Sequence, residues 1–518
     1  MKPIITVDFE TDPFEHERKP HPFCAGLYDG ENFWSIWNRA CARKLVKHLA
    51  EIPPSIIYMH NGGRFDIFFL FHWLDAEMRI INGRIVEAKI GHHIVRDSFA
   101  IFPEPLSAFK KDDIEIDHLR RENREQYRDE ILSYLKGDCV YLWEIVTRFI
   151  QEFGDYLTIG SAAMAQLQKI HQFEHGNSYT DERIRSQFFF GGRVQCFKSG
   201  IINMPFKIYD VNSMYPFVMK NYMHPLGAEW ELDKRVRSDS YFIVAEGRQC
   251  GSYGAFPIRN RNGGIDFNLD SGTFACTIHE WNVAEEIGWF KPTRIIKTFN
   301  WRQTICFDEF VDKFGALKVA AKKTGDQLRY LFYKRIQNSA YGKFSQNPDN
   351  FFDWAITHHK RLPEPWREHY IHERGKYVIW QKPVIRHSYY NVSIGASITG
   401  AARSILLRAI RFATDPIYCD TDSLICRRLN QVRLDDTELG AWKLEATGSQ
   451  IAMAGKKLYA CFDTSGECVK HATKGARITP EEIVKVANGE TVVFKNDAPT
   501  FKLDGRTTFI KRRIRRTV

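Results

Sequence analysis

The chain carries eleven cysteines but no CxxC pair, which excludes a zinc ribbon and a dithiol redox motif and points to a reducing compartment. Its histidine doublets, His92–His93 and His358–His359, are adjacent rather than spaced for a metal and read as surface pairs. Long apolar runs are missing too. Ile67–Phe71 is far too short to span a bilayer, and the opening MKPIITVDFET lacks an apolar signal core, so the expectation is a cytoplasmic protein without membrane attachment. What the chain has in plenty is aromatic side chains, 14% with 38 Phe, and positive charge, +10 over 518 residues. That surplus suits a polyanionic partner such as nucleic acid, and equally a basic soluble protein. The length suggests about three domains.

Six residues, YCDTDS (Tyr418–Ser423), organise the rest. Entered by Pro416 and Ile417, they read as a strand running into a tight turn; strand side chains two apart share a face, so Asp420 and Asp422 can reach one divalent metal. An acid, a small residue and an acid also describe an ordinary surface turn. Other stretches tip the balance. FKIYDVNSMYPFVM reads as a strand ending in Asp210, and a carboxylate at a strand end beside the YCDTDS pair makes a two-metal nucleotidyl-transfer site, with the Val211 carbonyl available to the nucleotide-side ion. Ser213 and Met214 can offer backbone amides to triphosphate oxygens, and Tyr215, lying flat under the sugar, leaves no room for a 2′-hydroxyl.

LRYLFYKRIQNSAYGKF places Lys334, Asn338 and Tyr341 on one helix face. Lys334 there can neutralise a triphosphate and protonate the leaving pyrophosphate, while Tyr341 and Gly342 form a flat surface for a base pair. The plainer alternative is a basic surface helix. KKLYACF reads as an alternating strand with Lys457 and Tyr459 on one face, fit to grip a primer terminus or simply an exposed basic edge. Between these motifs, about 345–385 reads as irregular and IGASITGAARSILLRAI as a closely packed small-residue helix. FIKRRIRRTV suits DNA backbone contact by a small thumb, and also a disordered end.

The first third has its own acids. IITV leads as a strand into Asp8 and Glu10, which then share a face opposite Phe9; Ile56–Met59 is a second strand, breaking at Asn61, Gly62 and Gly63 and reaching Asp66 at the start of an aromatic-rich helix; and Tyr134 and Asp138 lie four apart on a helix. Four carboxylates so placed are the ligand set two hard cations need for phosphodiester hydrolysis, with Tyr134 able to orient the attacking water. Each acid singly reads as well as a cap or surface charge. The segment 150–185 is mostly polar and loosely helical, a domain boundary, and is followed by SQFFFGGRVQCF, whose glycines let a backbone approach a phosphate chain with Arg193 adding charge, or mark a bulge.

VDFET, HNGGRFD and YLKGD resemble the three motifs of the 3′–5′ proofreading exonucleases of DNA polymerases. DVNSMYP, KRIQNSAYGKF, YCDTDS and KKLYA, behind them in order, are similar to the polymerase motifs of family B DNA polymerases, closest in wording to the protein-primed branch. The resemblance implies a mixed α/β fold: a ribonuclease H-like exonuclease domain (1–185) and a right-hand polymerase domain (186–518). The latter divides into palm (186–272 and 395–475), first insertion (273–320), fingers (321–345), second insertion (346–382) and thumb (476–518). It implies Asp8, Glu10, Asp66 and Asp138 as exonuclease metal ligands, Tyr134 as the water-positioning residue, and Asn61 and Phe65 as contacts to a single-stranded 3′ end. At the polymerase site it implies Asp210 and Asp422 as main ligands with Asp420 in support. Phe189 stands where the family carries a Tyr before Gly191 and Gly192, a DNA-binding motif. The implied cofactor is Mg2+, two per site, with Mn2+ as substitute. The implied partners are DNA template and primer, deoxynucleoside triphosphates and a terminal protein primer, the enzyme being a monomer. An RNA- or DNA-primed polymerase, or an inactive DNA-binding descendant, are the competing readings.

Overall fold

Ile4–Thr11 alternates along its length, and the alternation sorts two layers. Ile5, Val7 and Phe9 join a core with Leu45 and Leu49 of the helix Cys41–Glu51, while on the opposite face the Thr6 hydroxyl donates to the Cys139 carbonyl at 2.8 Å in the helix Arg128–Phe153. Asp8 and Glu10 continue the Thr6 face, as period two requires. Ile4–Thr11 pairs parallel with Ile56–Met59 and antiparallel with Pro22–Tyr28. In this computed structural model, which describes residues 2–110, 112–232, 234–358, 360–384 and 387–517, the sheet has ten strands.

Three of those strands correct the sequence reading. The stretch taken as irregular contains Phe352–Thr357, Arg367–Ile371 and Val378–Pro383, which extend the N-terminal sheet through the pairing of Phe352–Thr357 with Ala76–Ile81 (Trp354 opposite Met78). Their partner edge lies far away in sequence, so no local pattern announces it. Asp66 opens a short 3-10 segment, Asp66–Phe69, rather than a regular helix. The segment 150–185 holds two capped helices, Ile159–Ile170 and Ser178–Gln187, the first burying Ala162, Ala163, Met164 and Leu167. His93 is buried, Nδ1 accepting from the Ser55 amide at 3.2 Å and Nε2 donating to the Leu49 carbonyl at 2.7 Å, so His92–His93 is no surface pair. His358 is half-buried against the Leu74 carbonyl, and His359 lies outside the described residues.

A seven-stranded sheet forms the second centre, with Gly200–Val211 between Trp442–Gly455 and Ser423–Leu429, and Ala413–Asp420 beyond. Across it runs the almost wholly buried helix Val392–Phe412. Its glycines permit close contact with other elements, not with this sheet: a Cβ on Gly400 would lie 2.3 Å from Thr277 Oγ1, at the end of the strand Ser271–Thr277 of a separate four-stranded sheet. Gln327–Ser339 packs on Asp308–Lys323. The basic end is ordered, since Lys511–Ile514 pairs with Val492–Lys495. A small hairpin, Thr500–Phe501 with Thr507–Thr508, brings Phe501 against Phe65, Phe68 and Phe69.

Candidate active site

Register brings the first carboxylates together. Asp210 sits opposite Ser423, and the Val211 amide donates to the Asp422 carbonyl at 2.9 Å. Burial and the nearby Asp422 and Glu445 push Asp210 up to about 7, and burial raises Asp422 as well. Asp420 behaves differently. The strand ends there, Thr421 takes a left-handed φ of +60°, and the two acids no longer share a strand face. Asp420 instead accepts from Lys457 Nζ at 2.7 Å on both oxygens and from the Tyr418 hydroxyl at 2.9 Å.

That contact reshapes the KKLYACF reading. Lys457 is a positive-φ residue (+59°) just before the strand Leu458–Phe462, every residue of which is buried, so alternation does not apply. Tyr459 packs on the Tyr418 ring, centroids 5.1 Å apart. Glu445, exposed on the strand Trp442–Gly455, was not singled out in the sequence; Lys443 beside it pairs with Asp210, and a bulge between Leu444 and Ala446 re-aims this stretch. An acid directly beyond a strand register position facing Asp210 is visible only once the register is known.

Lys334 is exposed on Gln327–Ser339, and Asn338 donates to its carbonyl at 2.7 Å. Tyr341 opens the short helix Tyr341–Phe344 and stacks on Tyr215, centroids 3.8 Å apart and planes 10° apart; Gly342 next to it is exposed. Tyr215 rides on Met214–Asn221, whose N-cap Ser213 is left-handed and whose Met214 is buried. The two tyrosines thus form one platform rather than separate surfaces.

Arg193 does not offer charge to a phosphate. It is buried, bonded to Gln195 and stacked over Phe267, and burial lowers its pKa to about 10. The glycines before it serve packing: a Cβ on Gly192 would fall 2.7 Å from Thr421 Oγ1, and the Thr421 amide donates to the Arg193 carbonyl at 2.8 Å, so this linker braces the YCDTDS turn. The carbonyls of Phe190 and Gly191 accept from Arg403, which also forks onto Glu280 at 2.7 and 3.0 Å. Phe189 is half-buried, its carbonyl bonded to Arg259.

The N-terminal acids also influence one another. Burial, then Asp8, raise Asp66 well above the carboxylate range, and burial with Asp138, Glu10 and Asp8 raises Tyr134. Asn61, left-handed at φ +57°, is held by Arg84 at 2.9 Å, which pairs with the buried Asp97; neither Arg84 nor Asp97 was singled out in the sequence. Phe65 meets Phe14, Phe69 and Phe501 edge-on or tilted. Among the described residues no group of three or more His, Cys, Asp or Glu side chains forms a ready-made metal cage. The donor chemistry nevertheless fits hard divalent cations: each centre is built of carboxylates, Asp66 at one and Asp210 at the other are raised by burial and by neighbouring acids, and a cation would relieve that repulsion.

Residues 107–438 match the family model described as DNA polymerase type B, organellar and viral, and the chain belongs to the family B DNA polymerases, in their protein-primed branch. It is 46% identical to the DNA-directed DNA polymerase of Enterobacteria phage PRD1 over 99% of this chain and 98% of that one. A probable DNA polymerase of Neurospora intermedia is 23% identical over 78% of this chain, which spans 44% of that relative. The fold matches Phi29 DNA polymerase, complexed with primer-template DNA and incoming nucleotide substrates, with a TM-score of 0.75 at 19% identity, covering all of both chains. The expected fold class is borne out, and the chain is a DNA-directed DNA polymerase. Among the described residues no helix is long and apolar enough to cross a membrane.

Proposed function

We propose that the chain extends a primer on a DNA template at Asp210 and Asp422 and degrades a 3′ end at Asp8, Glu10, Asp66 and Asp138. The observation that carries the first half is the register that sets Asp210 beside Asp422, both raised by burial and repulsion. Divalent cations, Mg2+ in this reading and two per site, would supply Lewis acidity to the reacting oxygens when bound. The protein's part is to hold carboxylates at both centres. Asp420 keeps Lys457 close, Lys334 offers an exposed cation on the fingers side, the Tyr215–Tyr341 stack presents an aromatic surface to sugar and base, and Tyr134 orients a hydroxyl among the N-terminal acids. The domain boundaries given above belong to the same reading, as does initiation from a terminal protein hydroxyl by a monomeric enzyme.

Asp422→Ala should abolish Mg2+-dependent primer extension while keeping 3′-end degradation, and Asp66→Ala should do the reverse; equal extension by Asp422→Ala, or undiminished degradation by Asp66→Ala, refutes the corresponding assignment. Incubation with the neighbouring gene products and labelled deoxynucleotide should leave nucleotide covalently on a protein. Extension of oligonucleotide primers without any such adduct favours RNA or DNA priming.

A further inference from the structure

Beyond the strand that carries Asp8 and Glu10, the chain makes a tight excursion, Asp12–His21, before returning as Pro22–Tyr28. Its backbone is fixed from several sides. The Asp12 amide donates to the His21 carbonyl at 3.2 Å, Asp12 pairs with Arg124 at 3.1 Å, Glu15 pairs with Arg18 at 2.9 Å and Arg120 at 3.1 Å, and His16 Nδ1 reaches the Asn496 carbonyl at 3.0 Å. Between those anchors stands Phe14, 44% exposed. Its ring meets Phe65 edge-on, centroids 5.3 Å apart at 67°, so a ring face stays open. A phenyl group kept in water by a pinned loop loses the stabilisation that burial would give it, and a rigid aromatic is the platform on which a base stacks without ordering cost.

The surroundings match a single strand. Phe65 directly precedes Asp66, so Phe14 extends an aromatic surface one ring outward from the acids. Lys19 lies over the Phe501 ring at 5.7 Å, and Arg64, beside Phe65, is exposed. Of the loop's three acids, Asp12 and Glu15 are paired with arginines, and the exposed Glu17 lies 3.5 Å from His16 Nε2. Aromatic faces interleaved with cations are how proteins hold single-stranded DNA irrespective of sequence.

We propose that Phe14 is a nucleobase-stacking residue for the single-stranded 3′ end of DNA, set back from the terminal nucleotide by the intervening Phe65. The proposal rests on the reading of Asp8, Glu10, Asp66 and Asp138 as a 3′-end nuclease. It is tested in the full-length Asp66→Ala protein, where bound DNA survives, with oligothymidylates carrying one 2-aminopurine at the 3′ terminus or at successive positions behind it. Adding Phe14→Ala should weaken binding between about fivefold and a hundredfold and abolish quenching at a set-back position, Phe14→Trp should restore both, and Phe14→Leu should restore neither. Binding within twofold of the parent, or full rescue by Leu, overturns stacking. A separate outcome concerns the underlying reading: if Asp66→Ala alone still degrades 3′ ends, the nuclease assignment fails, whatever Phe14 does.

Discussion

Removing the Arg403 guanidinium should be among the costliest single changes in the molecule. Arg403 and Glu280 are 2% and 1% exposed and meet in a two-pronged contact, while Arg403 also bonds the Phe190 and Gly191 carbonyls. Arg403→Met leaves the Glu280 carboxylate buried with, among the described residues, the Thr277 amide and hydroxyl as donors, and breaking such a pair from one side costs about 3–5 kcal/mol. Because the ten-stranded sheet joins both parts of the chain, they melt together, the unfolding entropy of 518 residues is about 1.1 kcal/mol/K, and a loss of about 4 kcal/mol lowers Tm by about 4 °C. Arg403→Met with Glu280→Gln removes both charges yet keeps an acceptor for Thr277, and should melt above Arg403→Met alone. Scanning calorimetry on the two variants and the parent decides. A shift under 1 °C for Arg403→Met, or a double variant no more stable than the single, refutes the argument.

Two further outcomes follow from the same interior. His224 is fully buried, donating from Nε2 to the Val218 carbonyl at 3.2 Å and sharing the Ser397 hydroxyl with His279; burial lowers these histidines to about 3 and about 4. The unfolded chain therefore binds protons that the folded one refuses, and stability present above pH 6.5 is lost as pH falls toward 4, each histidine contributing about 1.4 kcal/mol per pH unit. Urea midpoints taken from pH 6.5 to 4.5 should flatten by one proton in His224→Gln; an unchanged slope rejects the account. Gly192→Ala should destabilise by about 1–3 kcal/mol, because its Cβ would strike Thr421, and lower extension more than 3′ degradation. Gly191→Ala, with open space around it, should do neither; equal behaviour of the two variants in melting and extension assays removes the steric argument.

Legibility in the sequence followed the range of the interaction. β-prone apolar runs located the strands Ile4–Thr11 and Ile56–Met59, period two placed Asp8 and Glu10 on one face, and helical spacing located Tyr134 with Asp138 and Lys334 with Asn338, because these depend on neighbours a few residues away. The YCDTDS face argument failed at Thr421, whose left-handed backbone ends the alternation on which it relied. Glu445, Arg403 and Arg84 escaped notice because each acts across a register or a helix packing that joins distant stretches. Strands 352–383 escaped for the same reason.

The shared sheet also has a consequence for the order in which the protein is made. Met78 waits for Trp354, about 280 residues further along, and the core around Ile80 is completed by Ile356, Ile379 and Leu503. A nascent chain ending near residue 185 would therefore hold Ala76–Ile81 as an open sheet edge, with unpaired backbone groups beside exposed apolar side chains. A sheet edge that forms early in synthesis is thus among the last to be covered.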